Sequence, residues 1–263
     1  MARIFSKFSE FSISSGEEVR CFFAEFVGTA ILVIFTCGTC MSSSSHADTL
    51  VATALSFGLT VACLVASIGH VSGCHINPAV TVGLLANGSF SLFRSIWYIM
   101  AQLLGAVAGA AILNASLVKK GNLCATVLRV PQAQGIIVEA LICFLLVFVV
   151  CNACESNALN APVLIGLAVT TGHLFAIPLT SSSMNTARSF GPAVVAGVWE
   201  DHYVYWVGPL VGGALGGLFH RFIFMNRNIS KGELEDMVPK DIDGSISEQN
   251  AQNIITLSKI TSM

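Results

Sequence analysis

Charge is what this 263-residue sequence has least of: Asp, Glu, Lys and Arg make up 11% of it, against about 25% in an ordinary soluble domain. Of its 13 basic and 15 acidic side chains, six lie in residues 1–20 and ten in 225–263, leaving 12 for the 204 residues between. One water-soluble core cannot hide so many uncharged, apolar stretches, so a polytopic membrane protein with two polar tails is expected. A formal net charge of −2 supplies no electrostatic footprint for nucleic acid, and no nucleic-acid partner is expected. Proline, glycine and polar residues are too few for a disordered chain. A secreted domain behind a cleaved leader is not expected either, because the first apolar run (about 21–41) follows a polar segment, is long enough to span, and is followed by more such runs. Nine cysteines are present, most of them inside apolar runs, where a free cysteine behaves as a small hydrophobe. Cys151-Asn-Ala-Cys154 is a lone CxxC without the further ligands a zinc site needs. Packing is therefore the expected role of the cysteines, with no metal site, cofactor or enzymatic centre.

What the sequence does have is long apolar runs. A membrane-crossing helix needs about 20 such residues, and six candidates occur at about 21–41, 50–69, 95–114, 133–153, 160–179 and 203–223. An even number puts both tails on one side, and the excess of Lys and Arg there favours the cytoplasm. Two stretches are too long for a simple hairpin: residues 49–93 and 156–187 are charge-free runs of 45 and 32 residues. Subtracting one span from each leaves Gly73-Cys74-His75-Ile76-Asn77-Pro78-Ala79-Val80 and Ser183-Met184-Asn185-Thr186-Ala187-Arg188-Ser189. Each remainder is too short to cross and too apolar for an ordinary loop. Such segments read as re-entrant half-helices, which exist at membrane depth only where they line a cavity or are buried in protein.

The halves repeat. A shift of 108 puts Asn77-Pro78-Ala79 on Asn185-Thr186-Ala187 and Phe57-Gly58-Leu59 on Ile165-Gly166-Leu167; a shift of 107 puts Gly105 and Gly109 on Gly212 and Gly216. Each half opens with a Glu inside an apolar helix, Glu25 and Glu139, and each holds three spans, so the second half is inverted relative to the first. Inverted repeats with broken helices at mid-membrane mark a transport pathway. The GxxxG pairs are expected to pack helices within one subunit. The fold class expected is thus an all-α membrane protein of six transmembrane helices plus two re-entrant half-helices. Its repeats cover about 21–118 and 133–224 of a channel domain at 21–224, between cytoplasmic tails 1–20 and 225–263.

An Asn before a helix start is an N-cap, and Pro78 suits the first helical position. In an inverted pair, both half-helices turn their partly positive N-termini to the membrane centre. The Asn77 and Asn185 amides then donate where the two dipoles meet. A water there accepts through its oxygen and points its hydrogens away, which breaks a proton wire, while the positive field repels cations.

Three segments carry a family resemblance: Ala24-Glu25-Phe26-Val27-Gly28-Thr29, the stretch Gly69-His70-Val71-Ser72-Gly73-Cys74-His75-Ile76-Asn77-Pro78-Ala79-Val80, and Met184-Asn185-Thr186-Ala187-Arg188-Ser189-Phe190-Gly191-Pro192-Ala193. Over about residues 20–224 the sequence resembles the aquaporins, or major intrinsic proteins. The resemblance implies a four-residue filter of Phe57, His173, Ser182 and Arg188. Phe, His and Arg in this combination look like the water-selective branch, as do Ser189 directly after the filter Arg and Tyr205-Trp206 at the start of the sixth span. It also implies that Glu25 and Glu139 brace the half-helix loops, with His75 and His70 in the same role, and that the chain forms a homotetramer. The partners expected are water and membrane lipid, and the membrane expected is the plasma membrane.

Three departures stand out. Thr186 replaces the second-box Pro, restoring an N–H and freeing φ, which loosens the expected start of that half-helix. Ser181-Ser182-Ser183 stands where the family often has glycines, so an altered loop path is expected. Ser182 stands where a mercury-sensitive Cys often occurs; its counterpart Cys74 is the expected mercurial site. Of the sequons, Asn87 and Asn228 are expected to face the cytoplasm unmodified, and Asn114 is a candidate glycosylation site. The function expected is a passive water channel that excludes protons and ions. The same-class rival is a broader channel for glycerol, urea or hydrogen peroxide. Rivals from other classes are a coupled secondary transporter, which would need Glu25 or Glu139 as an ion site, and a closed junctional scaffold.

Overall fold

The computed structural model describes residues 15–42, 46–117, 121–155 and 159–225. Most of both tails, Lys119, Lys120 and the Asn228 sequon lie outside the described residues. The described residues up to Ile223 form one compact unit. It is helical: α1 (Ser15–Ser42), α2 (His46–Ser72), α3 (Pro78–Asn87), α4 (Leu92–Ser116), α5 (Gln132–Glu155), α6 (Ala161–Thr180), α7 (Thr186–Ala196) and α8 (Val204–Phe219), the last running into a π-helical turn at His220–Phe224. No strand occurs among the described residues.

Six of these helices are long and apolar enough to cross a membrane: Gly16–Ser42, Thr49–Ser72, Leu92–Ser116, Gln132–Glu155, Ala161–Thr180 and Val204–Phe224. They coincide with the six apolar runs and extend several of them outward, because a helix continues into polar flanks such as Glu17 and Glu18 wherever its backbone stays paired. With hydrocarbon around it, a spanning segment has no other way to satisfy its N–H and C=O groups. Their outer faces carry large apolar side chains such as Phe35, Leu59, Leu104, Leu141 and Leu167, all exposed in the isolated chain.

α3 and α7 are half-length, at 10 and 11 residues. Both start at a capping Asn in extended conformation, with φ −159° at Asn77 and −152° at Asn185. Both stop at a left-handed glycine, Gly88 and Gly197, the residue that accepts this conformation at least cost. α7 begins directly at Thr186, as α3 does at Pro78. The loosening expected from losing the proline is therefore not seen; the Asn185 side chain accepts from two backbone groups, Ala187 N and Arg188 N, where Asn77 accepts from Ala79 N alone.

The packing repeats with the sequence. α1 lies on α4 as α5 lies on α8; α3 lies on α8 as α7 lies on α4; α2 and α6 meet each other. The glycine pairs make these contacts possible within the one chain. A Cβ on Gly105 or Gly109 would strike the Phe26 or Ala30 carbonyl of α1, and one on Gly212 or Gly216 the Ala140 or Phe144 carbonyl of α5. At the α2–α6 crossing, Gly58 and Gly166 face each other so closely that a Cβ on either would lie 2.5 Å from the other's carbonyl oxygen. Arg94, at the start of α4, is buried and donates to Glu18 of α1 at 2.8 Å.

One expectation about the cysteines is corrected. Seven are free, but Cys40, in the last turn of α1, forms a disulfide with Cys124 in the segment between α4 and α5. Reading the cysteines chiefly as packing residues missed this, because the partners are 84 residues apart and no periodicity links them.

Candidate functional site

Two buried carboxyl groups shape the loops ahead of α3 and α7. Glu25 of α1 is fully buried. Its Oε1 accepts from Ser72 Oγ at 2.7 Å and from the His75 backbone N–H at 2.9 Å; its Oε2 accepts from the Ile76 N–H at 2.6 Å and from Gln102 Nε2 at 2.8 Å. Glu139 of α5, also fully buried, repeats the pattern. Its Oε1 accepts from Thr180 Oγ1 at 2.6 Å and the Ser183 N–H at 2.8 Å, and its Oε2 from the Met184 N–H at 2.8 Å. Ser72, His75 and Ile76 answer to Thr180, Ser183 and Met184 under the same shift of 108. Every donor bonded to a carboxyl oxygen is one fewer unpaired polar group at membrane depth.

These loops need such support because their backbones are unusual. Gly73, Cys74 and Ile76 have φ of 87°, 52° and 43°, and Ser181, Ser182 and Met184 have 61°, 52° and 50°. The serines thus adopt the left-handed region that glycine accepts most easily, and the second loop follows the path of the first. Left-handed non-glycine residues cost about 1–3 kcal/mol each and persist only where the surroundings over-determine them. His75 adds to the first loop: its Nδ1 lies 3.1 Å from Thr81 Oγ1 and its ring packs on Phe90 and Tyr98. His70, expected beside it, is instead exposed near the end of α2; the helix turns it away from the buried loop.

The two Asn side chains are exchanged between the loops. Asn77 Nδ2 donates to the Met184 carbonyl at 2.8 Å, and Asn185 Nδ2 donates to the Ile76 carbonyl at 2.7 Å. Their Oδ1 atoms cap α3 and α7. Each amide thereby has its oxygen and one hydrogen fixed, which orients the second hydrogen. Cys74, His75, Asn77, Ser183 and Asn185 all line one cavity of about 970 Å³, counting its open mouth. Its other walls are largely aliphatic, with Leu32, Val61, Val65, Leu146, Val150, Ile165 and Val169, and Phe57 lines it too.

Phe57 is the meeting point of the remaining group. Its ring stacks on the His173 imidazole, centroids 3.9 Å apart and planes 24° apart, and the Arg188 guanidinium carbon lies 5.1 Å from the same ring's centroid. All three are buried, as is Ser182. His173 Nδ1 lies 2.9 Å from the Val169 carbonyl, the fourth residue back along α6, so it is the Nδ1 tautomer that donates there and Nε2 is left as the acceptor. His173 Nε2, Ser182 Oγ and Arg188 Nε have no hydrogen-bond partner among the described residues. The sequence-based candidates thus come together in two clusters: the Asn pair with its braces, and Phe57, His173, Ser182 and Arg188. Arg188 also shows what sequence reasoning missed: its Nη1 donates to the Cys124 carbonyl at 2.9 Å. Asn87 proves to be buried, donating through Nδ2 to the Gly217 carbonyl at 3.3 Å and lying 2.9 Å from His220 Nδ1. Asn114 sits partly buried in the last turn of α4.

Six helices able to span, two capped half-helices that exchange Asn side chains, and a cavity lined by both Asn residues define an integral membrane protein with the build of a channel. Residues 12–220 match the model of the family described as major intrinsic protein. The chain is 45% identical over 216 residues to the lens fiber major intrinsic protein of Lithobates pipiens, covering 79% of this chain and 82% of that one. It is 41% identical over 224 residues to aquaporin-5 of Homo sapiens, covering 82% and 84%, and 41% identical over 215 residues to aquaporin-4 of Rattus norvegicus, covering 76% and 66%. The X-ray structure of the aquaglyceroporin from Plasmodium falciparum superposes with a TM-score of 0.70 at 22% identity, over 78% of this chain and 96% of that one, which is a likeness of fold. The chain belongs to the major intrinsic protein, or aquaporin, family, whose members are channels and not enzymes.

Proposed function

We propose that this channel passes water down osmotic gradients and excludes protons and ions. The observation that carries the reading is the Phe57–His173–Arg188 cluster, with ring centroids 3.9 Å apart and the guanidinium 5.1 Å from the Phe57 ring. Two stacked rings, with the cation set against one of them, make any passage between them narrow. A passing water finds Arg188 N–H donors and the His173 Nε2 acceptor, while the fixed positive charge repels cations. Beyond this filter the oriented amide hydrogens of Asn77 and Asn185 bind the water oxygen and turn its hydrogens outward, which interrupts proton transfer along the file. Glu25 and Glu139, with His75, act as braces in this reading and not as an ion site. Each carboxyl already accepts from at least three donors, which argues against coupled transport.

Ser182 favours a second, broader reading. Its side chain is small, and its buried hydroxyl has no protein partner, so it offers a hydrogen bond to the hydroxyl or amide of glycerol, urea or hydrogen peroxide. Stopped-flow swelling of proteoliposomes, with water and glycerol run in parallel, separates the two. Water permeability well above that of empty liposomes with no glycerol uptake supports the first reading. Fast glycerol uptake supports the second, and no water permeation defeats both.

The remaining assignments follow from the same reading. Residues 21–224 are the channel domain and residues 1–20 and 225–263 the tails. Both termini face the cytoplasm, which the Lys/Arg bias supports. The Cys40–Cys124 disulfide supports it too, because it lies at the opposite end of the spans and such bonds persist on the oxidising side of a membrane. A homotetramer in the plasma membrane fits the family and the apolar outer faces, and Asn114 is the sequon left on the extracellular side.

A further inference from the structure

Arg188 is only 1% exposed. Its guanidinium Nη1 donates to the Cys124 carbonyl at 2.9 Å, Nη2 lies 3.4 Å from Cys124 Sγ, and Nε has no hydrogen-bond partner among the described residues. No carboxylate pairs with it among the described residues. Both of its described hydrogen bonds from the guanidinium therefore go to one residue, and that residue is covalently tied to α1 through Cys40.

Cys124 needs the tie. Leu123 and Cys124 are consecutive left-handed residues, with φ of 52° and 55°. This arrangement turns the Cys124 carbonyl toward Arg188, and besides the bridge it is held by a local turn on Asn122, which accepts from the Cys124 N–H at 3.2 Å and the Ala125 N–H at 2.9 Å, and by the burial of Leu123. Further along, the segment is anchored separately. Ser181 Oγ accepts from Val127 N at 3.2 Å, and Arg129 Nη1 donates to the Ile177 carbonyl at 3.0 Å. The bridge is thus the one covalent tie on the part of the segment that touches Arg188, and its loss leaves two left-handed residues held by the local turn alone.

We propose that the Cys40–Cys124 bridge is a positioning element for the filter, fixing the Arg188 guanidinium against Phe57 so that the solute cut-off of the channel depends on an intact disulfide. The inference rests on the reading of Arg188 as the filter cation. Without the bridge, the Cys124 carbonyl moves off, the guanidinium loses its fixed acceptor, and the opening beside Phe57 widens. Reduction by dithiothreitol has this effect through two successive thiol–disulfide exchanges. The reagent supplies two electrons and two protons, the sulfur–sulfur bond between Cys40 and Cys124 becomes two thiols, and the reagent leaves as its cyclic disulfide.

The test uses the full chain in proteoliposomes. Maleimide labelling of denatured, unreduced protein should modify seven of the nine cysteines by mass spectrometry and all nine after reduction; nine before reduction overturns the proposal. Cys40→Ser, and wild-type protein reduced after reconstitution until nine thiols react, should each raise the ratio of glycerol to water permeability at least about threefold, with water permeability within about twofold. The reduced wild type keeps the question open to refutation even if the variant folds poorly. An unchanged ratio in the reduced wild type overturns the proposal. Arg188→Val should raise the ratio by itself, and adding Cys40→Ser to it should do nothing more. A further increase in the double variant places the effect of the bridge elsewhere and also overturns the proposal. If Arg188→Val leaves the ratio unchanged, it is the filter reading that fails.

Discussion

Replacing Glu25 measures what a brace contributes. In Glu25→Ala, four buried donors lose their acceptor: the Ser72 hydroxyl, the His75 and Ile76 backbone N–H groups and the Gln102 amide. The hydroxyl and amide can turn elsewhere, but the two N–H groups cannot, because the left-handed residues Cys74 and Ile76 fix the loop. At about 1–3 kcal/mol for each stranded donor the loss is about 2–6 kcal/mol, before any cavity cost. Glu25→Gln is milder. Its NH2 can take the Oε2 position, where Gln102 can flip to accept from it, giving up its Nε2 bond to Thr81 Oγ1. The Ile76 N–H is then stranded, for about 1–3 kcal/mol, with about 1 kcal/mol more for the lost Thr81 bond. The assay is thermal unfolding in detergent, followed with a thiol-reactive fluorogenic dye that reports exposure of the buried free cysteines Cys21, Cys37, Cys74, Cys143 and Cys151. At about 2–4 °C per kcal/mol for a chain of this size, Glu25→Ala should melt at least about 5 °C below wild type, with Glu25→Gln between them. An alanine variant within about 2 °C of wild type, or a glutamine variant as unstable as the alanine one, would refute the bracing argument.

Ser182→Gly should raise the melting temperature by a few degrees in the same assay, because it removes both a left-handed side chain at φ 52° and an unpartnered buried hydroxyl, together worth about 1–3 kcal/mol. Mercurials should block water flow through Cys74, which lines the cavity; inhibition that persists unchanged in Cys74→Ser would show that the thiol acts elsewhere. His173→Ala should open space beside Phe57 and raise glycerol uptake in swelling assays by about tenfold or more, while a variant as impermeable to glycerol as wild type would remove His173 from the constriction. Gly212→Val should prevent assembly of folded protein, seen as aggregation in size-exclusion chromatography, since its side chain would meet the Ala140 backbone.

Much of this molecule can be read from its charges. The run 49–93 contains α2 from Thr49 onward, the first loop and α3, and the run 156–187 contains α6 and the second loop, because neither a spanning segment nor a loop folded into the membrane tolerates an unpaired charge. Arg188 follows directly after the second run and is buried against the Cys124 carbonyl. Glu25 and Glu139 stand out as acids in apolar helices, yet nothing in the sequence says that Gln102 joins the first and has no counterpart at the second. The Asn boxes announce two N-caps, whereas the exchange of their amides with Met184 and Ile76 depends on how two distant loops meet. Cys40 ends the first span and Cys124 lies in the third connection, yet no pattern pairs them across 84 residues, and the contact of that connection with Arg188 is equally hidden, since an irregular segment carries no periodicity to betray the face it presents.

The exchange of amide hydrogens between Asn77 and Asn185 also bears on how the chain is made. Asn77 binds a carbonyl 107 residues further along, and Asn185 one 109 residues back. When the first three spans have left the ribosome, Ile76 still lacks its donor and Asn77 its acceptor, and nothing in that half supplies either. The first loop therefore remains unfinished until α6 and α7 arrive, and both loops lock in one late step. Contacts so distant in sequence form only once the second half is in place, which puts the closing of both loops among the slow steps of folding.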